Sequence, residues 1–232
     1  MIPAGDDRDD RYVPIVMYTI IALNVILFLV DRRGHLFGPQ IVFPGLAAVP
    51  AELSKVVAEG GEGSTIVTIF TSMFLHGDLA HLLGNMLFLL VFGGGVESAF
   101  GPIRFMLYYL FWGFAATGAH VFVNPSDTAY VLGASGAIGG VLGCYFLLFP
   151  ASRVDFFVFP LPIRLQIHAW ILLGFWFVYQ ILFPQIGVAN WAHAGGFLVG
   201  MLTVLIAGGR NRILEDQQRG TSLNPRPLDN SS

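Results

Sequence analysis

Charged residues are almost absent from the long central part of this 232-residue chain. Between Thr65 and Gly209, a stretch of 145 residues, there are seven: Asp78, Glu97, Arg104, Asp127, Arg153, Asp155 and Arg164. Over the whole chain 12% of the residues are charged, against about 25% in soluble domains. A soluble fold cannot cover its surface with so few charges, so the sequence predicts a polytopic helical membrane protein.

The composition also excludes other classes of protein. A net charge of −3 and an isoelectric point near 6.0 argue against a nucleic-acid-binding protein, which normally carries a basic stripe. The single cysteine, Cys144, permits no intramolecular disulfide and no cysteine-based metal cluster. The apolar runs are continuous and do not alternate as barrel strands do. We therefore expect an all-α membrane protein with no nucleic-acid partner.

Six apolar segments are predicted to cross the membrane, since a spanning helix needs about 20 mostly apolar residues. They cover residues 14–30, 79–96, 102–123, 135–149, 167–183 and 190–207. Asp78 is expected to cap the second segment and Pro102 to open the third, while residues 66–76 form an interfacial piece. The predicted organisation is a cytoplasmic segment over 1–12, a six-span membrane domain over 13–208, and a polar, disordered cytoplasmic tail over 209–232.

The distribution of basic residues predicts the orientation of the six spans. Nine of the twelve basic residues fall on the side that holds both termini, and three fall on the opposite side: Arg32, Arg33 and Lys55. Because basic residues accumulate on the cytoplasmic side, both termini are expected in the cytoplasm. The second, fourth and sixth spans then all begin at the outer face.

Four polar side chains near the outer starts of these even-numbered helices are the candidate functional residues. They are His81 and Asn85 in the second span, Ser135 in the fourth and His193 in the sixth. Taken singly, such a serine commonly bonds back to its own helix, and such a histidine or asparagine bridges two helices. Because the topology places all four at a similar depth, and polar groups in membrane helices are costly, we expect a joint role.

Small residues indicate that the fourth and sixth helices touch. Glycines follow the serine and the histidine on the same helix faces: Gly139 and Gly143 in the fourth helix, Gly196 and Gly200 in the sixth. Glycine-lined faces let helix backbones approach closely. Ser135 and His193 are therefore expected to be partners.

These side chains suit acyl transfer. A hydroxyl is a poor nucleophile until a base takes its proton, and a neutral imidazole such as His193 can take it from Ser135. The developing oxyanion needs hydrogen-bond donors, which the Asn85 amide, the His81 ring N–H and the Ser135 backbone N–H can supply. Asp127, the nearest acid on the outer side, lies in a loop and is not expected to orient His193.

At these residues the sequence resembles the rhomboid intramembrane serine proteases. The matching motifs are His81-x-x-x-Asn85 for HxxxN in the second helix, Gly133-Ala134-Ser135-Gly136 for GxSG, and His193 with Gly196 for HxxG in the last helix. His76 and Glu97 also stand where the family carries a histidine before, and a glutamate after, the second helix, and both look structural by this comparison. The resemblance covers residues 66–208.

The resemblance implies a six-transmembrane-helix, rhomboid-like bundle and a serine-type intramembrane endopeptidase. Ser135 would be the nucleophile and His193 the general base and then acid, with His81 and Asn85 stabilising the oxyanion. No metal or other cofactor is implied. The implied partners are membrane lipid and single-pass transmembrane protein substrates, cleaved in or beside the transmembrane helix. The chain resembles the prokaryotic form of the family, which places it in a bacterial plasma membrane.

The sequence departs from the family pattern in two places. Residues 67–68 are Val-Thr where many members carry Trp-Arg, so the first loop is expected to sit differently in the bilayer. Gly139 stands where some members carry an aromatic residue that stacks on the histidine. Another side chain, Phe197 or Trp191, is then expected to hold His193.

Substrate is expected to reach the site laterally from the lipid. The fifth span is the candidate gate because Phe175, Trp176 and Phe177 form a bulky apolar cluster there. Core packing or lipid contact is the alternative role for these residues. If the cluster is a gate, shrinking Phe175 or Trp176 should speed cleavage.

Two other classes of function remain open. A proteolytically inactive rhomboid-like protein that binds and escorts membrane clients would share the fold and tolerate the loss of Ser135 or His193. A small-solute transporter or channel would also explain buried histidine and asparagine, but the sequence shows no repeat and no acidic relay inside the spans. A zinc protease is disfavoured because His76 and His81 are five residues apart, the wrong spacing for one helical metal face.

Overall fold

Helices form most of the chain, which the computed structural model describes over residues 2–6, 12–37, 43–61, 63–158, 163–185 and 187–223. Short 3-10 turns cover Pro44–Leu46 and Ser72–Phe74. The helices are α1 Ile15–Asp31, α2 Pro50–Glu59, α3 Gly63–Thr71, α4 Leu79–Phe100, α5 Pro102–Val123, α6 Ser135–Leu148, α7 Ala169–Leu182, α8 Asn190–Ile206 and α9 Gly209–Leu223.

A helix occupies each of the six segments predicted to cross the membrane: α1, α4, α5, α6, α7 and α8. Among the described residues, α4 and α5 are long and apolar enough to span a bilayer by length and composition alone. The pair α8 and α9 would pass together as a third span, although the chain bends by 69° between them. The helices α1, α6 and α7 are apolar but shorter. The helix positions are thus confirmed, while six crossings stay a prediction.

Large apolar side chains cover the outside of these helices. Phe122 is 87% exposed, Ile206 84% and Phe175 70%. Apolar surface on this scale would not remain in contact with water in a monomeric soluble protein. The exposed faces therefore fit contact with lipid.

The helix α6 forms the centre of the bundle, packed against α8, α5 and α4. Ten of its 14 residues are buried, as expected for a helix that is apolar on every side. A β-carbon added at Gly139 would lie 2.7 Å from the carbonyl oxygen of His193, and one at Gly143 would lie 2.8 Å from the carbonyl carbon of Phe197. The predicted close contact of the fourth and sixth spans is confirmed.

Local signals in the sequence set the ends of α4 and α5. The Asp78 carboxylate accepts a hydrogen bond of 2.8 Å from the backbone N–H of His81, the predicted N-cap. Gly101 separates the two helices in a left-handed conformation (φ +81°) that favours glycine. Pro102 is the first residue of α5, where its missing N–H removes no helical hydrogen bond.

Glu97 fastens the start of α1 to the end of α4. Its fully buried carboxylate accepts hydrogen bonds from the backbone N–H groups of Val16 at 3.1 Å and Met17 at 2.7 Å, and from the Tyr12 hydroxyl at 3.0 Å. The first N–H groups of a helix lack carbonyl partners and favour a negative charge. Burial, and then the Glu97 carboxylate, raise the pKa of Tyr12. These contacts support a structural role for Glu97.

A small sheet departs from the all-helical expectation. Strands β1 Ile2–Asp6, β2 Arg153–Val158 and β3 Ile163–His168 form an antiparallel sheet in that order. β2 and β3 lie between α6 and α7, so α7 begins at Ala169 and the predicted fifth span loses its first two residues. The physical reason lies in alternation, since Val154 is buried while Arg153 is exposed, the pattern of a half-buried strand.

The segment after residue 208 also differs from expectation, because its first part is the helix α9 and is not disordered. Ile213 is 5% exposed and joins the hydrophobic core. The Arg210 guanidinium donates from Nε to the carbonyl oxygen of Leu148 at 2.8 Å. These contacts hold a polar segment that composition alone predicts to be unfolded. Residues 224–232 of the predicted tail lie outside the described residues, as do residues 1 and 7–11 of the N-terminal segment.

Candidate active site

Ser135 and His193 are hydrogen-bonded to each other. Ser135 is the first residue of α6 and His193 lies in the first turn of α8. The serine Oγ is 2.8 Å from Nε2 of the histidine, the length of a normal hydrogen bond. The pairing predicted from the glycine-lined faces is confirmed as a contact.

Glycines set the separation of the two helices at this point. A β-carbon at Gly196 or Gly200 of α8 would overlap the carbonyl oxygens of Gly136 and Gly140 in α6. The two backbones are therefore in direct contact, with no side chain between them. This approach places a short serine side chain within reach of an imidazole on the neighbouring helix.

The turn before Ser135 faces the other two candidate side chains. Gly133 has φ +112°, a left-handed conformation that favours glycine, and its N–H donates to the carbonyl oxygen of Ser72 at 2.9 Å. A β-carbon at Gly133 would lie 2.7 Å from Nε2 of His81 and 3.4 Å from Nδ2 of Asn85. The four polar side chains singled out from the sequence therefore converge in one place.

His76 supports Asn85 from the protein interior. Nδ2 of Asn85 lies 2.9 Å from Nε2 of the fully buried His76, and because an amide nitrogen only donates, this ring nitrogen accepts. Burial, the largest cause, and the neighbouring His81 lower the pKa of His76 to about 3, which keeps the ring neutral. The second N–H of the Asn85 amide remains for another acceptor.

A buried arginine holds the segment that leads into α4. Arg32 is 3% exposed and donates from Nη2 to the carbonyl oxygen of His76 at 3.0 Å and to that of Gly77. Its guanidinium also lies 5.0 Å from the centre of the Phe28 ring. In the sequence, Arg32 stands out only as one of the basic residues on the predicted outer side. Its position directly after an apolar helix was the available signal for such a role.

Two side chains that the sequence did not single out hold the other ring nitrogen of His193. Nδ1 of His193 lies 2.8 Å from Oε1 of Gln180 in α7, and the same oxygen accepts a hydrogen bond of 2.9 Å from Nδ2 of Asn190 in α8. Gln180 is 7% and Asn190 3% exposed. Gln180 carries the same sequence signal as Asn85, a lone amide in an otherwise apolar helix.

The aromatic residue beside His193 is Trp176 of α7, with ring centres 5.8 Å apart and planes inclined by 30°. Phe197, one of the two residues expected in this position, packs against Trp176 at 6.1 Å. Trp191, the other, is 38% exposed. Asp127 was not expected to orient His193, and its carboxylate lies 3.6 Å from Nε2 of a different histidine, His120.

A small cavity of about 20 Å³ opens beside Ser135. Small residues form much of its lining, including Ser72, Thr117, Gly133, Gly136 and Ala192. This volume suits about one water molecule or a methyl-sized side chain. An aromatic ring does not fit.

The chain is similar to known proteins over most of its helical region. Residues 63–210 match the family model described as Rhomboid domain. The chain is 33% identical over 152 residues to the mitochondrial Rhomboid protein 1 of Saccharomyces cerevisiae, covering 59% of this chain and 40% of that protein. It is 30% identical over 197 residues to the rhomboid protease GluP of Bacillus subtilis, covering 84% of this chain and 35% of that protein.

A shorter relative matches along most of its own length. The rhomboid protease GlpG of Haemophilus influenzae is 27% identical over 185 residues, which cover 78% of this chain and 84% of that protein. The chain spans well under two thirds of the yeast and Bacillus relatives, at 40% and 35% of their lengths.

Proposed function

Because the chain belongs to the rhomboid family, we propose that it is an intramembrane serine endopeptidase. It hydrolyses a peptide bond in or next to the transmembrane helix of a single-pass membrane protein. The observation that carries the proposal is the 2.8 Å hydrogen bond between Ser135 Oγ and His193 Nε2. This bond joins a nucleophile to the base that activates it.

The first step forms a tetrahedral intermediate. Ser135 Oγ attacks the carbonyl carbon of the scissile bond while its proton passes to Nε2 of His193, and the carbonyl electron pair moves onto oxygen. The donors for this oxyanion are the free N–H of Asn85, the His81 ring and the backbone N–H of Ser135. The first N–H groups of α6 have no carbonyl partners within the helix, so they can stabilise negative charge.

The second step breaks the C–N bond. His193 gives its proton to the leaving nitrogen and the acyl group stays on Ser135 as an ester. A water molecule then loses a proton to His193 and attacks the ester. Ser135 regains its proton as the acid product leaves. Every protein group in this cycle begins neutral, which suits a region with so few charges.

The substrate is expected to carry a small residue at the cleavage point. The cavity beside Ser135, of about 20 Å³, has room for a small side chain on the acyl side. A peptide bond inside a regular helix is hidden from the nucleophile. Residues such as glycine, which weaken a helix by about 1 kcal/mol each, therefore favour cleavage by allowing local unwinding. Lateral access past Phe175 of α7, whose ring is 70% exposed, would bring the segment to the site.

The proposed location is a bacterial plasma membrane, with six crossings and both termini in the cytoplasm. Basic residues support this orientation, nine on the side of the termini against three on the other. The active site would then lie in the outer half of the bilayer, because Ser135 and His193 are at the outer starts of their helices.

The test is cleavage of a panel of single-span substrates, with alanine or glycine near the outer end of the span, by protein purified into liposomes. Ser135→Ala and His193→Ala are expected to abolish cleavage. Ser152→Ala and His168→Ala are matched controls outside the site and should cleave at the wild-type rate. Cleavage that persists in either site variant would exclude the Ser–His mechanism.

The alternative is a proteolytically inactive rhomboid-like protein that binds membrane clients. A client-binding protein needs no hydroxyl hydrogen-bonded to an imidazole, and no donor groups facing the same turn, so these features favour the enzyme. Binding of the panel without cleavage, unchanged in Ser135→Ala, would support the alternative.

A further inference from the structure

A chain of hydrogen bonds runs from a backbone amide to the Ser135 hydroxyl. The backbone N–H of Gln185 donates to Oδ1 of Asn190 at 3.0 Å. Nδ2 of Asn190 donates to Oε1 of Gln180 at 2.9 Å, and Oε1 lies 2.8 Å from Nδ1 of His193. Nε2 of His193 lies 2.8 Å from Ser135 Oγ. The links at Gln180 and Asn190 are buried from water.

The backbone N–H of Gln185 fixes the direction of every hydrogen bond in this series. A backbone N–H can only donate, so the Asn190 atom facing it is the oxygen and the atom facing Gln180 is the NH₂ group. Because that NH₂ group donates, the Gln180 atom is an oxygen that accepts. An accepting oxygen requires a proton on Nδ1 of His193. A neutral imidazole with its proton on Nδ1 has a lone pair on Nε2, which must accept the Ser135 O–H.

We propose that Gln180 and Asn190 are positioning residues that hold His193 in the Nδ1–H tautomer, the form that can take the Ser135 proton. When His193 accepts this proton, Nδ1–H bears part of the positive charge and its bond to Gln180 Oε1 strengthens. The amide thus orients the imidazole as a buried carboxylate would, without placing a charge in the membrane. The expected effect on the cleavage rate rests on the proposed function, whereas the expected tautomer of His193 does not.

Three substitutions separate this role from simple packing. Gln180→Met keeps the volume and removes the acceptor, so His193 loses its preference for Nδ1–H. Gln180→Glu keeps an accepting oxygen for both His193 and Asn190, so the direction of the chain is preserved. Asn190→Asp changes an NH₂ group into an acceptor. The Gln180 amide must then turn its NH₂ group toward Asp and His193, which moves the histidine proton to Nε2.

The first readout is the tautomer of His193, measured by NMR of protein labelled with [¹⁵N]histidine in detergent. The signal is assigned by its loss in His193→Ala. Wild type and Gln180→Glu are expected to show Nδ1–H, Asn190→Asp to show Nε2–H, and Gln180→Met a mixture. The inference is overturned if wild-type His193 carries its proton on Nε2, or if Asn190→Asp leaves the tautomer unchanged.

The second readout is the rate of cleavage of the single-span panel. Gln180→Met and Asn190→Asp are expected to lower kcat roughly 100-fold, the scale of a misplaced catalytic group, with KM nearly unchanged. Gln180→Glu should keep kcat within about tenfold of wild type, since the site retains its oriented base. The acid limb of the pH–kcat profile of Gln180→Glu should move to higher pH, because a carboxylate stabilises the imidazolium of His193.

The other titratable groups near His193 are the same in all variants, so they do not account for differences between the pH profiles. His81 of α4 and His120 of α5 face His193, and both are present in every variant. Gln166→Glu, on the exposed part of β3, is the charge-matched control and should leave kcat and the pH profile unchanged. If Gln180→Met fails to fold, the opposite outcomes expected for Gln180→Glu and Asn190→Asp decide the matter.

The two proposals fail in different ways. Loss of tautomer control in Asn190→Asp, in a protein that cleaves no substrate, would support the positioning role and contradict the protease. If the wild type and all three variants cleave the substrates at the same rate, the protease is supported and the positioning role is excluded.

Discussion

Replacing Gly139 by alanine tests whether close helix contact sets the geometry of the site. The added β-carbon would lie 2.7 Å from the carbonyl oxygen of His193 and 3.3 Å from the backbone nitrogen of Phe197. Carbon and oxygen atoms approach comfortably to about 3.3 Å, so α6 and α8 must separate by about 0.6 Å. Added to the 2.8 Å Ser135–His193 bond, this displacement would stretch it to the limit of hydrogen bonding.

The expected losses follow from this displacement. Overpacking a tight core costs about 1–3 kcal/mol, partly offset by about 0.5–1 kcal/mol because alanine favours a helix more than glycine does. A misplacement of about 1 Å costs roughly 100-fold in rate, so a shift of about half that size should cost about tenfold. Gly143→Ala, whose β-carbon would overlap the carbonyl oxygen of Phe197, should lose more stability.

The assay compares these variants with Gly118→Ala. Gly118 lies on the exposed side of α5, with nothing within 4 Å of an added β-carbon, so its substitution should raise the free energy of unfolding by about 0.5–1 kcal/mol. Unfolding in mixed detergent micelles gives stability, and cleavage of the single-span panel gives rate. The reasoning is refuted if Gly139→Ala is as stable and as active as Gly118→Ala.

Three other outcomes are expected. Glu97→Gln should lower the free energy of unfolding by about 1–3 kcal/mol, since its amide NH₂ group would face a buried donor; an unchanged thermal midpoint would contradict this. Phe175→Ala, which removes an exposed ring, should speed cleavage in detergent and liposomes, and Trp176→Ala should gain less because that ring also packs beside the histidine; unchanged turnover in both excludes the gate. In the proposed orientation, Lys55→Cys should react with an impermeant maleimide on intact cells, and Arg212→Cys only after lysis. The native Cys144 is buried and should give little background labelling. The reverse pattern contradicts the proposed orientation.

The partnership of Ser135 and His193 was predictable because two independent signals agreed. Topology placed both residues at the outer ends of their helices, and glycines one and two turns along each helix marked the contact. The Asp78 cap was predictable for a local reason, since an N-cap acts within its own helix turn. Signals of this kind need no knowledge of distant parts of the chain.

The residues around His193 were not predictable in the same way. Gln180 and Asn190 meet only because the end of α7 returns to the start of α8, and the identity of the donor depends on a backbone amide at Gln185. Trp176 reaches the histidine for the same reason. The sequence places these residues in the right helices, but their orientation depends on tertiary packing.

The sheet and α9 were missed because hydropathy at the scale of a membrane span outweighs shorter patterns. The runs over residues 153–156 and 163–168 alternate with period two in a segment flanked by long apolar helices. α9 is polar overall, and a single buried residue such as Ile213 is a weak sequence signal. Neither element carries a residue of the candidate active site.

The central claim is that His193 activates the Ser135 hydroxyl. Labelling by a fluorophosphonate, followed by mass spectrometry of the intact protein and its peptides, measures this most directly. One adduct, located at Ser135 and lost in His193→Ala but retained in His168→Ala, is the predicted result. An adduct at another residue, or equal labelling of Ser135 in His193→Ala, would contradict it.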